Sequence, residues 1–195
     1  MATTRHVFDD SGAWYEVGQI PKELANIDFD MLWDLHPEEH GKVKIGGKEI
    51  DVPRWQQVYL QDYRFSGMNH KKKDLPKEFE PFYEYAKTVF DKRYNQLVIN
   101  WYKDGKHYIG AHSDNETELI KNSSILSISL GETRTFRIRS SETGEIIKDF
   151  ELQSGTFFVM GGNFQKKYTH EIVKVMGEKG AKLGRRINLT YRMFD

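Results

Sequence analysis

The chain contains no cysteine, and this absence limits both how it can be stabilised and how it can bind a metal. Disulfide bonds are excluded, as are metal sites built on thiolates. Histidine and the carboxylates are therefore the side chains left to hold a metal ion.

Long apolar stretches are also missing. No apolar run approaches the roughly 20 residues that a bilayer-spanning helix needs, so no membrane association is expected. The N-terminus has no positively charged region followed by an apolar segment, which argues against a secretory signal. These two absences together predict an intracellular protein.

The chain also has no formal net charge, because 29 Lys and Arg residues balance 29 Asp and Glu residues. The chain therefore lacks the strongly basic footprint that many nucleic-acid binders show. The charge is unevenly distributed, however, with 5 basic against 11 acidic residues in 1–51 and 24 against 18 in 52–195. This asymmetry is compatible with a phosphate-binding face on the body of the protein, and equally with ordinary solvated surface charge.

The composition indicates one globular domain of 195 residues, 38% hydrophobic and 13% aromatic. Apolar residues recur at helical spacing over 27–36 and 79–92, and Gly46-Gly47 predicts a hairpin tip. Strands are predicted at 58–60 and 63–65, ending at Ser66-Gly67, and a loop at 69–77. Further short strands are predicted at 97–102, 125–130, 135–139, 148–152, 155–160, 168–175 and 186–193. The prediction is an α+β domain with an antiparallel β core, either a barrel or a double-sheet jelly roll.

The last predicted strand divides its side chains by chemistry. In an extended chain alternate residues share a face, so the polar residues lie together on one side: Arg186, Asn188, Thr190 and Arg192. Two arginines on a buried face need an anion or hydrogen-bond acceptors, because an unpaired buried charge is very costly. A dicarboxylate held near a metal would satisfy that need.

A second pattern supplies candidate metal ligands. On a strand, His112 and Asp114 would point the same way, and a lone His170 follows 56 residues later. Two histidines and one carboxylate are the ligand set of non-haem Fe(II) oxygenases, whereas structural zinc would need a fourth ligand. The remaining histidines lie at spacings that form no second plausible set: His6, His36, His40, His70 and His107.

Together these motifs resemble the AlkB-type Fe(II)- and 2-oxoglutarate-dependent dioxygenases, in particular the mammalian DNA-repair dealkylases. The resemblance covers about residues 50–195 and is most specific in the C-terminal third. Segments 53–54, 63–67 and 102–105 (Pro-Arg, Tyr-Arg-Phe-Ser-Gly and Tyr-Lys-Asp-Gly) look like the same subgroup. The matching pattern is Asn-x-Tyr, His-x-Asp, a distant His and Arg-x-Asn-x-Thr-x-Arg, found here at Asn100, Tyr102, His112, Asp114, His170, Arg186, Asn188, Thr190 and Arg192.

The resemblance implies a double-stranded β-helix (jelly roll) core with N-terminal helices and substrate-binding hairpins. It divides the single domain 1–195 into an N-terminal extension (1–50), a substrate-recognition region (51–95) and a catalytic jelly roll (96–195). The cofactors would be Fe(II), 2-oxoglutarate and O2, with the metal on the catalytic residues His112, Asp114 and His170. Arg186 would meet the distal carboxylate and Arg192 the metal-side carboxylate. The other expected cosubstrate-binding residues are Asn100, Tyr102, Asn188 and Thr190.

The implied reaction is oxidative dealkylation of N-alkylated nucleobases in DNA or RNA. Phe65 and His112 would sandwich an extruded base, Tyr63 would line the pocket, and Glu116 would accept from an exocyclic amine. The alternative is that Tyr63 and Phe65 are core aromatics of a strand. Three lysines, Lys71, Lys72 and Lys73, would follow a phosphate backbone or would simply be a solvated loop.

Two departures from the family pattern bear on the substrate. Asn115 stands where close repair relatives carry a second acidic residue, so base recognition is expected to differ. Ile45 occupies the hairpin where duplex-repair members use an aromatic wedge, and an aliphatic side chain opens a base stack less well. Single-stranded nucleic acid is therefore favoured over duplex as the partner, and a monomer is expected.

Two other functions stay open at this point. The same chemistry could act on a protein side chain or a small molecule, which the zero net charge supports. The chain could also be a non-catalytic binding module, although the complete set of ligand and arginine positions argues against this. Salt-dependent binding of oligonucleotides would distinguish a nucleic-acid substrate from a protein or small-molecule substrate. Iron-dependent succinate formation would distinguish an enzyme from a non-catalytic module.

Overall fold

The computed structural model describes residues 5–65 and 68–195. Its strands, in chain order, are β1 (Arg5–Val7), β2 (Trp14–Gln19), β3 (Lys42–Ile45), β4 (Lys48–Asp51), β5 (Trp55–Tyr59), β6 (Tyr63–Phe65), β7 (Met68–His70), β8 (Gln96–Tyr102), β9 (Ile109–His112), β10 (Ile125–Gly131), β11 (Arg134–Ser140), β12 (Ile146–Leu152), β13 (Thr156–Gly161), β14 (Tyr168–Ile172) and β15 (Arg186–Arg192). Its helices are α1 (Lys22–Ala25), α2 (Phe29–Trp33), α3 (Glu80–Tyr85), α4 (Phe164–Lys167) and α5 (Gly177–Ala181). A 3-10 turn (Lys77–Phe79) precedes α3 and a π-helical turn (Ala86–Phe90) continues it.

Two antiparallel sheets form the body of the fold. The larger has the order β1-β2-β13-β10-β15-β8-β5 and the smaller the order β12-β11-β14-β9. The hairpins β3-β4 and β6-β7 form two further two-stranded sheets. The predicted antiparallel β core is confirmed, and two facing sheets are the arrangement of a jelly roll.

The central strands β8 and β15 are buried on both faces, as expected for strands between two packed layers. Ile187, Leu189 and Tyr191 of β15 belong to the core that includes Phe79 and Phe82 beside α3. The polar residues of β15 alternate with these and therefore face the smaller sheet. This division is the one that the sequence predicts for the terminal strand, and it places the arginines between the sheets.

The N-terminal fifty residues differ from the prediction of loop and one helix. Strand β2 pairs with β13, with Thr156 opposite Gln19, so this segment extends the larger sheet. The apolar alternation in β2 covers only Tyr15 and Val17 before it ends at Gln19, which is too short to identify the strand from the pattern. The predicted helix 27–36 is represented by the shorter α2, where the Asp28 side chain accepts from the backbone N–H of Asp30 at 2.9 Å.

Other boundaries differ where turns and caps decide them. The predicted 79–92 helix corresponds to the 3-10, α and π turns between Lys77 and Phe90, with Pro81 tolerated in the first turn of α3. The predicted 69–77 loop begins inside β7, and the predicted end of β6 at 66–67 lies outside the described residues. Gly46 and Gly47 have φ of 57° and 80°, which confirms the hairpin tip. No helix in the described part of the chain is long and apolar enough to cross a bilayer.

Candidate active site

Three potential metal ligands converge between the two sheets. His170 on β14 lies directly opposite His112 on β9, and their ring centroids are 4.3 Å apart. One ligand atom each from His112, Asp114 and His170 lie within 4.8 Å of one another, and they form the one such cluster found among the described residues. The sequence pattern therefore identified a set that the fold brings together across 56 residues.

The prediction that His112 and Asp114 share a strand is wrong. Strand β9 ends at His112, and Asp114 lies beyond it, where its backbone N–H donates to Gln165 Oε1 at 2.9 Å. Gln165 belongs to α4, which leads directly into β14. A side chain from this short helix, rather than strand geometry, therefore positions the carboxylate.

His112 and Asp114 each use one polar side-chain atom in a hydrogen bond and keep the other available to bind a metal. His112 Nδ1 lies 2.9 Å from the Gly110 carbonyl oxygen and donates to it, which leaves the Nε2 lone pair open. Nε2 is 3.7 Å from Asp114 Oδ1, while Asp114 Oδ2 accepts from Arg192 Nη2 at 3.0 Å. His112 Nε2 and Asp114 Oδ1 can therefore turn toward a shared cation.

The electrostatics put each group in the protonation state that a metal requires. Burial, reinforced by neighbouring His112, lowers the pKa of His170 to about 3 and keeps the ring neutral. Burial would raise the pKa of Asp114, but Arg192 and the two histidines together hold it well below its ordinary value. A neutral imidazole and an ionised carboxylate bind a divalent cation without first losing a proton.

The stability of the metal-free protein is expected to depend on His170. Its ordinary pKa is 6.5 and its folded pKa about 3, so below pH 6.5 the unfolded chain binds a proton that the folded chain does not. The unfolding free energy should therefore fall between about pH 6.5 and 3, by up to about 1.4 kcal/mol per pH unit. Urea unfolding with chelator at about pH 7.5 and about pH 5 measures this, and His170→Asn should show a shallower dependence. An equal dependence in both proteins would contradict the assignment.

Arg186 is a buried cation with unused donors. Its Nη2 donates to Ser129 Oγ at 2.8 Å, and the guanidinium lies 5.0 Å from the centroid of the Tyr102 ring. Nε and Nη1 are buried and have no hydrogen-bond partner in the described part of the chain. Burial lowers the pKa of Arg186 to about 10, and the interaction with the Tyr102 side chain compensates this only in part. Such a group is a binding site for an anion.

Asn188 and Thr190 hold the floor of the same chamber. Asn188 Nδ2 donates to Ser127 Oγ at 2.7 Å and to the Ile128 carbonyl oxygen at 3.0 Å. Thr190 Oγ1 donates to Asn188 Oδ1 at 3.1 Å. The chamber extends from Arg186 to the ligand cluster and is lined by Asn100, Tyr102, Ile109, His112, Asp114, Ser127, Phe136, Met160, His170, Ile172, Arg186, Asn188, Thr190 and Arg192. The unpaired Arg186 at one end and the candidate metal ligands at the other match the two ends of a keto acid that carries a second carboxylate.

Arg54 fixes the orientation of Asn100, a predicted site residue, although Arg54 is not itself among the predicted site residues. Its Nε donates to Asn100 Oδ1 at 2.7 Å, and its Nη2 donates to Gln56 Oε1 at 3.0 Å. Because the amide oxygen of Asn100 is occupied by Arg54, its Nδ2 is left as a donor. The Pro53-Arg54 motif is the sequence feature that could have identified Arg54, but it does not indicate the contact with Asn100.

A wider cavity of about 860 Å³ adjoins the ligand cluster, and its lining includes Arg54, Tyr63, His112, Glu116 and Arg192. The Tyr63 hydroxyl donates to Glu116, and the Arg192 guanidinium lies 5.1 Å from the Tyr63 ring centroid. Burial, and next the charge of Asp114, raise the pKa of Glu116. The cavity is of the size that binds small ligands.

Two predicted substrate contacts are not tested by this geometry. The Phe65 side chain lies outside the described part of the chain, although its backbone pairs with Met68 in β6-β7. Lys71 Nζ donates to Asp62 Oδ2 at 2.7 Å, and Lys72 Nζ to the Leu60 carbonyl oxygen at 3.3 Å. Lys71 and Lys72 are therefore held against the connection between β5 and β6, and a role in phosphate binding stays a prediction.

Comparisons with known proteins identify the family to which the chain belongs. The sequence model of the 2OG-Fe(II) oxygenase superfamily matches residues 36–192. DNA oxidative demethylase ALKBH2 of Bos taurus is 30% identical over 202 residues, which is 90% of this chain and 71% of that protein. The Homo sapiens ALKBH2 is 30% identical over 161 residues, covering 77% of this chain and 60% of that protein. Alpha-ketoglutarate-dependent dioxygenase alkB homolog 3 of Rattus norvegicus is 34% identical over 107 residues, covering 51% and 35%.

A solved structure supports the fold. The structure of OsALKBH1 superposes with a TM-score of 0.60 over 97% of this chain and all of that chain, at 15% identity. At that identity the likeness concerns architecture alone, whereas the family match and the ALKBH2 identities concern sequence. With a ligand cluster and an anion pocket that fit Fe(II) and 2-oxoglutarate, the chain belongs to the 2OG-Fe(II) oxygenase superfamily and is an AlkB-type dioxygenase.

Proposed function

We propose that this protein removes alkyl groups from N-alkylated nucleobases of a nucleic acid by Fe(II)- and 2-oxoglutarate-dependent oxidation. One observation carries the proposal: the His-Asp-His cluster and the unpaired Arg186 share a buried chamber beside a cavity of about 860 Å³. The DNA demethylase relatives support the substrate class.

The cosubstrate would lie along the chamber between the sheets. Its keto-acid end would reach the metal held by His112, Asp114 and His170, and its distal carboxylate would meet the free Nε and Nη1 of Arg186. A planar guanidinium matches a carboxylate with two parallel hydrogen bonds, which are among the stronger ones in proteins. Bound iron would supply activation of dioxygen, coupled to oxidative decarboxylation of 2-oxoglutarate to succinate.

The protein's own groups keep this arrangement in place. Arg192 holds Asp114 Oδ2, so the other carboxylate oxygen stays directed toward the metal. Arg54 holds the Asn100 oxygen, so the amide N–H groups can donate to the cosubstrate, as can the Tyr102 hydroxyl. The side chains of Asn188 and Thr190 bond to one another and to β10, and they shape the floor of the pocket. Pre-positioned donors of this kind need no rearrangement during reaction.

The alkylated base would enter the wider cavity and stack between Phe65 and His112. Tyr63 would line the pocket, and Glu116, oriented by the Tyr63 hydroxyl, would contact the exocyclic edge of the base. Ile45 is the last residue of β3, before the Gly46-Gly47 tip, and an aliphatic residue there favours a single-stranded substrate; its side chain lies outside the described part of the chain. In this proposal residues 51–95 form the substrate-recognition region of one monomeric domain, after the extension 1–50 and before the jelly roll 96–195.

Glu116→Ala should impair turnover of a methylated oligonucleotide while leaving metal and 2-oxoglutarate binding nearly unchanged. The reason is that Glu116 would contact the base and lies outside the chamber that holds the cosubstrate. Loss of one charge-assisted hydrogen bond predicts a decrease in efficiency of about tenfold to a hundredfold. Uncoupled conversion of 2-oxoglutarate to succinate should persist. Glu145→Ala, at the exposed turn before β12, is the matched control, and equal activity of both variants would contradict the pocket assignment.

The function itself is tested with methylated DNA and RNA oligonucleotides, single-stranded and duplex, incubated with iron and 2-oxoglutarate. Mass spectrometry should show loss of the methyl group from at least one single-stranded substrate, together with succinate. Succinate formation without a change in any oligonucleotide would instead favour a protein or small-molecule substrate. Absence of succinate under every condition would favour a non-catalytic module.

A further inference from the structure

Arg134, the first residue of β11, is a buried cation close to the cosubstrate chamber. Its relative exposure is 1%, and it is among the largest fully buried side chains of the protein. Its guanidinium lies 5.9 Å from the Tyr102 ring centroid, and that of Arg186 lies 5.0 Å from the same ring. Two buried arginines therefore flank one tyrosine that lines the chamber.

The contacts of Arg134 are with backbone carbonyls. Its Nη1 donates to the Asp104 oxygen at 3.1 Å, and its Nη2 donates to the oxygens of His107 and Val173 at 2.9 and 2.8 Å. Asp104 and His107 belong to the loop that leads into β9 and His112, while Val173 directly follows β14, which carries His170. One side chain therefore joins the segments next to both histidine-bearing strands.

Arg134 has no direct ion-pair partner in the described part of the chain, although the charges of Asp104 and Glu132 act on it from a distance. Neither Arg134 nor Arg186 has a carboxylate oxygen within 4.0 Å among residues 5–65 and 68–195. The nearby carboxylates bind backbone amides instead: Asp104 Oδ1 accepts from Lys106 N at 2.8 Å, and Glu132 Oε2 accepts from Gly184 N at 2.9 Å. Burial, and in addition the charge of Arg134, lower the pKa of Arg186. The end of the chamber that holds Arg186 therefore lies close to a second buried positive charge, on the other side of Tyr102.

The loop that Arg134 binds has little room to move. Gly105 N donates to the Gly180 oxygen at 3.0 Å, and Val175 N donates to the Gly105 oxygen at 2.9 Å. A Cβ at Gly105 would lie 2.5 Å from Gly180 Cα, so a larger residue there would displace backbone. The Tyr-Lys-Asp-Gly segment at 102–105 therefore fixes the Asp104 carbonyl, one of the three that hold Arg134 beside Tyr102.

We propose that Arg134 is a positioning residue of the cosubstrate pocket, whose buried charge beside Tyr102 and Arg186 helps to select keto acids that carry a second carboxylate. The inference rests on the proposed use of 2-oxoglutarate. A buried cation attracts a carboxylate through a medium of low dielectric without touching it, and the effect depends on the ligand's distal charge. Loss of the charge should therefore weaken binding of a dicarboxylate more than binding of a keto acid with one carboxylate.

Calorimetry of the Mn(II)-loaded protein without oxygen tests this selectivity. The two probes are 2-oxoglutarate and 2-oxopentanoate, which has the same chain length but a methyl group in place of the distal carboxylate. The measured quantity is the ratio of their dissociation constants. In Arg134→Gln the preference for 2-oxoglutarate should fall about tenfold, the effect of one charge at about 10 Å with an effective dielectric of about 20. In Arg134→Lys, which keeps the charge, the preference should stay within about threefold of wild type.

The ratio of the two dissociation constants distinguishes an electrostatic role of Arg134 from a merely structural one. If Arg134 only ties the loop to β14, both affinities should fall together in the Gln and Lys variants, and this result would overturn the proposal. Arg134→Met is the second neutral variant if Arg134→Gln does not fold. Arg137→Gln is the matched control, because Arg137 lies on the outer face of the same strand and pairs with Asp149 at 2.8 Å. A wild-type protein without preference for 2-oxoglutarate would overturn the cosubstrate assignment itself and this inference with it.

Discussion

Asp114→Ala is expected to bind no divalent metal with useful affinity and to form no succinate from 2-oxoglutarate. Asp114 supplies the one carboxylate of the three-ligand cluster, and two histidines alone leave the ion without an anionic ligand. Metal titration by calorimetry and a succinate assay measure the two losses. Metal affinity close to that of wild type would show that the cluster is not the metal site.

The same change should also destabilise the metal-free protein. Arg192 would lose its carboxylate partner while 95% of its surface stays buried. Removing one partner of a buried ion pair typically costs about 3–5 kcal/mol of unfolding free energy. Asp149→Ala is the matched control, since its pair with Arg137 is partly exposed and should contribute about 1 kcal/mol or less. Equal losses in the two variants, by urea unfolding with chelator, would contradict the burial argument.

Arg186→Met should weaken 2-oxoglutarate binding by about 2–4 kcal/mol, the cost of removing a buried charge-assisted contact. The unliganded protein should not lose stability correspondingly, because Arg186 has no carboxylate partner and two of its donor atoms are unused. Binding is measured by calorimetry with Mn(II), and stability by urea unfolding. A large loss of stability with unchanged affinity would make Arg186 a structural residue.

Arg185→Ala is the neighbouring control for Arg186. Arg185 has an exposed side chain that pairs with Asp30 and lies over the rings of Phe29 and Trp33, outside the chamber. We expect its replacement to leave 2-oxoglutarate affinity within about twofold of wild type, as for a surface pair. If Arg185→Ala were the more damaging change, the assignment of faces along β15 would be wrong.

The terminal strand shows how much of the site is predictable from sequence. Strand periodicity of two is a local property, so the separation of Arg186 and Arg192 from Ile187 and Leu189 follows directly from their order. The ligand set was predicted from residue types, and the pairing of β9 with β14 brings its members together. Local pattern and residue chemistry were therefore sufficient for the ligands and the anion face.

The supporting residues could not be predicted in this way. Nothing local to Arg54 or Arg134 shows that their contacts come from 46 and about 30 residues away. The position of Asp114 beyond β9 depends on Gln165, which is 51 residues distant. Strand β2 depends on β13 as a partner. Each of these features is a tertiary contact that propensity does not report.

The other histidines illustrate the same limit. His36, His40 and His107 gather around Trp55, with the His36 and Trp55 ring centroids 4.3 Å apart. Their spacing in sequence gave no sign of this packing. Their ligand atoms do not meet the distance requirement of a metal cluster in the described part of the chain. Aromatic packing, rather than ligation, accounts for their proximity.

The most direct test is a crystal structure of the protein with Mn(II) and 2-oxoglutarate, prepared without oxygen. We expect one metal ion bound by His112, Asp114 and His170, with ligand atoms about 2.0–2.3 Å from the ion. We also expect the distal carboxylate of 2-oxoglutarate to lie within hydrogen-bonding distance, about 2.7–3.2 Å, of Arg186. A metal bound without His170, or a cosubstrate whose distal carboxylate lies away from Arg186, would contradict this assignment.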